Sequence, residues 1–151
     1  MFGEKEKRHI YIGSDHAGFQ AKEALKTHLE EEFHVTDLGT FNEDSVDYPD
    51  IAREVSEKVL ENHGALGIVI CGTGTGMAMT ANKLKGIRAA LATNEFLAEM
   101  ARKHNNANVL ALGARVTELP EMKKIVDKFL HTDFEANEER HVRRVNKIDG
   151  K

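Results

Sequence analysis

The sequence has a single cysteine, no excess of positive charge and no long hydrophobic run. One cysteine cannot form a disulfide within the chain, and no charged-then-apolar leader precedes the first apolar residues, so we expect a cytoplasmic protein. The 21 Lys and Arg against 25 Asp and Glu give a net charge of -4, which disfavours nucleic acid and anionic lipid as partners. No apolar run reaches the roughly 20 residues that a membrane helix needs. We therefore expect a soluble enzyme or binding protein.

The size and composition predict one folded domain. The chain has 151 residues, of which 40% are hydrophobic and 30% are charged, close to the average for globular proteins. It contains no internal repeat and no low-complexity stretch. We expect a mobile polar leader at Met1–Arg8 and a single domain over residues 9–151.

Short apolar, β-branched runs alternate with longer segments of helical period, which is the pattern of βαβ units. The predicted strands are His9–Gly13, Phe33–Leu38, Leu66–Cys71, Ile87–Ala92 and Val109–Leu112. Helices are predicted around Ala21–Leu29, Ile51–Val59, Met77–Leu84, Glu95–Lys103, Met122–Leu130 and the basic Glu138–Ile148, where Val145 and Ile148 would anchor the last helix. This order indicates an α/β fold with a doubly wound, mainly parallel five-stranded sheet in the order 2-1-3-4-5.

Ligands of such sheets bind beyond the carboxyl ends of the strands, where the winding direction changes. In the predicted order this point lies between strands one and three. The segments that follow these strands are Gly13–Gly18 and Cys71–Gly76, and we expect them to face each other across one crevice.

The segment Gly72–Gly76 reads GTGTG, and its three glycines leave several backbone N–H groups able to converge on one point. Such a nest suits a phosphate or a developing oxyanion. It is not a dinucleotide fingerprint, because Met77 stands where the third glycine belongs, and it lacks the Lys-Ser/Thr of a P-loop. A glycine-rich turn that serves only tight packing is the alternative.

Cys71 ends an apolar strand just before this glycine segment. A thiol there gains stabilisation of its thiolate from nearby N–H groups and from a helix amino terminus. It could transfer a proton or act as a nucleophile, and the spacing does not separate these roles. An inert buried cysteine is the plain alternative.

Two of the eight histidines, His16 and His104, are expected in loops on the carboxyl side of the sheet. Asn105 follows His104 and could fix its tautomer or bind hydroxyl groups, although a helix end is an equal alternative. No histidine pair shows a metal-ligand pattern, so no metal is predicted.

Arg140 and Arg144 share one helical face, and Arg115 follows strand five. These arginines suit a phosphate, although a solvated basic helix end is the alternative.

Several motifs in order resemble the ribose-5-phosphate isomerase B family, which includes the paired-subunit galactose-6-phosphate isomerases. They run from about residue 9 to 148 and read SDHAG, VDYPD, ICGTGTGM, ANK, GIRAAL, HNNANVLALGAR and RHVRRV. The resemblance implies an aldose-ketose isomerase that acts on a sugar phosphate through a cis-enediolate without metal or cofactor. It also implies a homodimer, or a dimer of dimers, with sites at the subunit interface.

The resemblance assigns a role to each matching residue. Cys71 would be the base, Thr73 would help to move protons between O1 and O2, and His104 would open the sugar ring. The groups that would bind substrate are Asp15, His16, Tyr48, Asn105 and the glycine segment with Gly72, Gly74, Thr75 and Gly76. The phosphate would be held by Arg115, Arg140 and Arg144. A six-carbon sugar phosphate as substrate, or a non-catalytic module that binds a phosphorylated ligand, remains an alternative.

Overall fold

The computed structural model describes residues 7–151, so the first six residues of the predicted leader lie outside the described residues. The strands are β1 (His9–Ser14), β2 (His34–Asp37), β3 (Leu66–Cys71), β4 (Ala89–Leu91) and β5 (Val109–Gly113). The helices are α1 (Phe19–Leu29), α2 (Tyr48–Glu61), α3 (Thr75–Ala81), α4 (Glu95–Lys103), α5 (Leu119–Leu130) and α6 (Glu139–Ile148). Within residues 7–151, no helix has the length and apolar character needed to cross a membrane.

The five strands form one parallel sheet in the order β2-β1-β3-β5-β4. The predicted α/β fold and five-stranded parallel sheet are confirmed, but the predicted order 2-1-3-4-5 is wrong for the last two strands. All five residues of β5 are buried, whereas β4 has only three residues and is partly exposed. A fully apolar strand is favoured in the interior of the sheet and a short one at its edge.

Helices cover both faces of the sheet. One apolar cluster joins β1, β3 and β5 to α1, α4 and α5, and a second joins the opposite face to α2 and α3. The connection from β4 runs back toward β3 to reach β5, and right-handed crossovers therefore place α4 on the same face as α1. The observed position of β5 between β3 and β4 therefore also determines that α4 packs on the same face of the sheet as α1.

The chain direction gives the sheet two distinct edges. The carboxyl edge holds the ends of the strands and the starts of the helices that follow them, while the amino edge holds the ends of α1, α2, α3 and α4. β3 has six residues, and the five steps of about 3.3 Å between its first and last residue separate the two edges by about 17 Å. Whether a residue follows a strand or a helix therefore decides which edge it occupies.

Candidate active site

The loops that follow β1 and β3 contact each other at the carboxyl edge. The N–H of Asp15 donates to the carbonyl of Ile70 at 3.1 Å. Gly18 packs so closely that an added Cβ would lie 2.8 Å from the same carbonyl oxygen. The predicted neighbourhood of the two segments is therefore present, because β1 and β3 are adjacent in the sheet.

Cys71 is buried at the end of β3, with 5% of its surface exposed. The N–H of Gly74 donates to its sulfur at 3.1 Å. Gly74 adopts a φ of +84°, a conformation that favours glycine, and this turn is what aims the amide back at the sulfur. An N–H directed at the sulfur stabilises negative charge on it, as a proton-accepting thiolate requires.

The glycine segment is held against β5 by backbone contacts. Ala114 N–H donates to the Cys71 carbonyl at 2.8 Å, and Arg115 N–H donates to the Gly72 carbonyl at 2.9 Å. The same turn places the Arg115 guanidinium beside Gly72, where an added Cβ would lie 3.1 Å from Nη1. A positive charge therefore lies directly against the glycine segment.

Of the remaining predicted residues at the carboxyl edge, Tyr48 contacts this segment directly. Tyr48, the first residue of α2, lays its ring against Gly76, where an added Cβ would lie 2.5 Å from Cζ. His16 Nδ1 accepts from Val46 N–H at 3.3 Å. Thr73 and Thr75 are exposed at the loop surface, and the Thr73 hydroxyl accepts from Thr75 N–H at 3.3 Å.

A buried ion pair holds Gly39 and, through it, the backbone next to Asp15. Lys22 is fully buried and donates to Asp37 Oδ2 at 2.6 Å, while Asp37 Oδ1 accepts from Gly39 N–H at 2.9 Å. Burial raises the pKa of Asp37, but the hydrogen bonds from Lys22 and Gly39 outweigh it and leave that pKa below its usual value. Gly39 in turn accepts from Ser14 N–H at 2.7 Å, so this pair fixes the backbone beside Asp15.

His104 lies at the amino edge, and our expectation that it opens on the carboxyl side of the sheet is wrong. The residue caps the carboxyl end of α4, and it therefore follows a helix and precedes β5. Asn105 and the arginines of α6, Arg140 and Arg144, lie at the same edge and are exposed. Within one chain, the candidate residues thus form two groups separated by the length of β3.

The His104 ring is held between two groups that sequence analysis did not identify. It stacks on His141 with a centroid distance of 4.3 Å and an interplanar angle of 18°. Its Nε2 lies 3.4 Å from Glu135 Oε1. Glu135 N–H donates to the Lys103 carbonyl at 3.1 Å, which ties the carboxylate to the end of α4. Only His141, inside the basic run of the last helix, could have been noticed in the sequence.

These three side chains also offer ligand atoms that all lie within 4.8 Å of one another. The two imidazole rings are nearly parallel, so their in-plane lone pairs run side by side and do not converge on one ion. The arrangement is that of a stacked pair with an adjacent carboxylate. The absence of a bound metal stays a prediction.

Helix α6 packs through His141 and Val145, which are both buried. Ile148 is 59% exposed, so its predicted anchoring role is wrong within this chain. Residues 141 and 145 lie one helical turn apart, and the end of the helix is instead held by an ion pair of 2.9 Å between Arg88 and Asp149.

Comparison with known proteins identifies relatives over nearly the whole chain. Residues 10–148 match the Ribose/Galactose Isomerase family. The chain is 48% identical over 142 residues to a probable ribose-5-phosphate isomerase B of Mycoplasma genitalium, covering 92% of each chain. It is 41% identical over 140 residues to ribose-5-phosphate isomerase B of Escherichia coli, covering 92% of this chain and 93% of that protein.

A solved structure agrees with the fold. The crystal structure of ribose-5-phosphate isomerase B from Mycoplasma genitalium with bound ribulose-5-phosphate superposes with a TM-score of 0.91 at 46% identity. The match covers 96% of both chains.

Proposed function

The chain belongs to the ribose/galactose isomerase family, and from this premise we propose that it interconverts ribose 5-phosphate and ribulose 5-phosphate. The relatives named for this reaction are 41% and 48% identical over most of the chain. The observation that carries the proposal is the buried sulfur of Cys71 in contact with the amide of Gly74, at the edge where doubly wound sheets bind ligands.

The proposed reaction moves one hydrogen between two carbon atoms of the opened sugar. The Cys71 thiolate removes the proton from C2 and becomes a thiol. The electron pair of that C–H bond forms the C1–C2 double bond while the π pair of the C1 carbonyl moves onto O1, which gives a cis-enediolate. The Cys71 thiol then donates a proton to C1 while the C2 carbonyl forms and the C1–C2 double bond is lost, and Thr73 assists proton transfer between O1 and O2. While it is held on sulfur, the transferred proton can exchange with solvent. C2 is oxidised and C1 is reduced, so the reaction needs no external oxidant or reductant.

The glycine segment stabilises the enediolate oxygen. Its N–H groups meet a negative charge that exists only along the reaction path, so they lower the barrier more than they strengthen substrate binding. Arg115, beside Gly72, adds positive charge on the same side. Tyr48 packs against this segment and contacts the sugar, and Asp15 and His16 contact it from the loop that follows β1.

We further propose that each active site combines two copies of the chain. Cys71 and His104 lie at opposite edges of one sheet, about 17 Å apart along β3, which is too far for both to touch one pentose phosphate. A second copy brings its amino-edge group, made of His104, Asn105, Arg140 and Arg144, to the carboxyl edge of the first. His104 then opens the ring and the arginines hold the phosphate, in a cytoplasmic homodimer or dimer of dimers.

Proton exchange tests the role of Cys71. Cys71→Ala should abolish exchange of the transferred proton with solvent, measured by NMR in deuterium oxide, while the affinity for sugar phosphate measured by calorimetry stays close to that of the unchanged protein. Exchange that persists in this variant would remove Cys71 as the base. The assay is run with added chelator, and loss of activity on chelation would contradict a reaction without metal.

Complementation tests the shared site. With ribose 5-phosphate as substrate, Cys71→Ala should be inactive alone, and His104→Ala should be strongly impaired because the ring must open first. When the two are unfolded and refolded together, half of the dimers are mixed, and each mixed dimer contains one site with both groups intact. About a quarter of the unchanged activity should return. Absence of recovery, with mixed dimers demonstrated by mass spectrometry, would contradict the shared site.

The length of the sugar is tested separately. The ratio of kcat/KM for ribose 5-phosphate to that for galactose 6-phosphate or allose 6-phosphate should exceed about tenfold, because a pocket shaped for five carbons excludes an extra carbon and hydroxyl. A ratio in the opposite direction would assign the enzyme to six-carbon substrates.

A further inference from the structure

A second cavity lies at the amino edge, away from Cys71 and the glycine segment. It has a volume of about 310 Å³, and three arginines, Arg8, Arg88 and Arg102, are among the residues that line it. Its other polar lining residues are Asn62, His63, Asn106 and Asn108. We call it the arginine cavity. None of the three arginines belongs to the groups that we assign to substrate.

The charge of Arg102 is buried without an acidic partner. Only 5% of its surface is exposed, and its Nε and Nη1 donate to the carbonyls of Thr132 at 3.1 Å and Ala107 at 2.6 Å. Burial lowers the pKa of Arg102 to about 10; the charges of Arg8 and Arg88 add to the effect and Asp133 opposes it. Among residues 7–151, no carboxylate forms an ion pair with Arg102. Its guanidinium also lies over the Phe129 ring, 5.6 Å from the centroid, so neutral groups hold this charge and the wall of the cavity stays positive.

The cavity also offers hydrogen-bond donors that the protein itself does not use. Within the described part of the chain, the Nη2 groups of Arg88 and Arg102 have no acceptor, and neither group is sealed from solvent. The side chain of Arg8 likewise makes no hydrogen bond to residues 7–151. Arg88 is already paired with Asp149 through Nη1, so Arg8 and Arg102 supply the positive charge that no carboxylate among residues 7–151 neutralises. Guanidinium groups that line one cavity suit the oxygen atoms of a phosphate.

We propose that the arginine cavity binds a small oxyanion of the phosphate type, at a site separate from the substrate site. Asn106 links the cavity to the neighbouring loop, because its side-chain oxygen accepts from Arg102 at 3.4 Å and its carbonyl from Arg88 at 2.8 Å. Asn106 is two residues from His104. An anion between the arginines therefore stabilises the loop that carries His104. This inference does not rest on the proposed isomerase activity.

Thermal unfolding at increasing inorganic phosphate tests the site. Ionic strength is held constant with sodium chloride, and a parallel titration with sodium acetate tests whether a carboxylate has the same effect. The background protein is Arg140→Ala/Arg144→Ala, so that phosphate bound by α6 does not contribute. At ten times Kd, phosphate should raise the Tm of this protein by about 3 to 6 °C, and acetate by less.

Adding Arg8→Ala to that background should weaken phosphate binding at least about tenfold, because a charge-assisted donor is lost. Since the Arg8 side chain holds no other described residue by hydrogen bonds, the variant should remain folded. Arg53→Ala removes the same charge from the exposed side of α2 and should leave the phosphate response unchanged.

Three results would overturn the proposal. The first is no phosphate response beyond that of chloride in the background protein, and the second is an equal response after Arg8→Ala. The third is a response that emerges only after Glu4→Gln/Glu6→Gln, since the cavity would then be filled by the protein's own amino-terminal carboxylates. A saturable response that is lost with Arg8 and kept with Arg53→Ala supports the site, whatever the activity assays show.

Discussion

Replacing Gly113 by alanine tests how closely the glycine segment must be held against β5. A Cβ at Gly113 would lie 2.5 Å from the carbonyl oxygen of Thr73 and 2.6 Å from its carbonyl carbon. Ordinary contacts of this kind begin at 3.4 Å. Because both groups belong to backbone, no side chain can rotate away, and the Thr73 backbone must move by about 0.9 Å.

This displacement should reduce both stability and activity. Overpacking of a well-packed site costs about 1 to 3 kcal/mol, which lowers the Tm of a domain of this size by about 2 to 12 °C. A shift of about 1 Å in groups that stabilise the reacting atoms costs on the order of 100-fold in rate. We therefore expect kcat for ribose 5-phosphate to fall by about that factor in Gly113→Ala, measured at a temperature where the variant is fully folded.

Gly67→Ala is the matched control. An added Cβ there would lie 3.0 Å from methyl groups of both Val55 and Val59, at the amino end of β3 and away from the glycine segment. It should lower Tm and leave kcat within about twofold of the unchanged enzyme, because the overpacking does not reach the site. The reasoning fails if Gly113→Ala loses stability but keeps its kcat, or if both variants lose activity equally.

Two further predictions concern paired side chains near the helix ends. Glu135→Gln removes the carboxylate beside His104 and should slow conversion of ribose 5-phosphate about two- to fivefold. Solvent exchange into ribulose 5-phosphate should be unaffected, because this substrate needs no ring opening. Equal losses in both assays would contradict this role. The hydrogen bond to Glu32 raises the pKa of His131, so this pair stabilises the fold below about pH 6.5 and the contribution disappears as pH rises through the raised pKa. The Tm of Glu32→Gln should thus fall below that of the unchanged protein at pH 6 and match it at pH 9, and a deficit of the same size at both values would disprove the linkage.

Local patterns were enough to predict the alternation of elements and part of the site. The all-apolar run Leu66–Cys71 and the glycines after it predict a strand covered on both faces and followed by a tight turn. The contact between Gly74 N–H and the Cys71 sulfur follows from this turn. A local conformation needs only neighbours in sequence, so the sequence by itself determined this half of the candidate site.

The position of β5 beside β3 and the location of His104 at the amino edge were decided by tertiary structure. Strand order depends on which strands bury both faces, and that is a competition between segments far apart in the chain. The pairing of His104 with Glu135 and His141 arises in the same way, because α4 and α6 meet only when both pack against the folded sheet. His104 lies about thirty positions or more from both partners in sequence, so no local spacing predicts these contacts. The residues meet because each helix buries apolar surface against other elements of the fold.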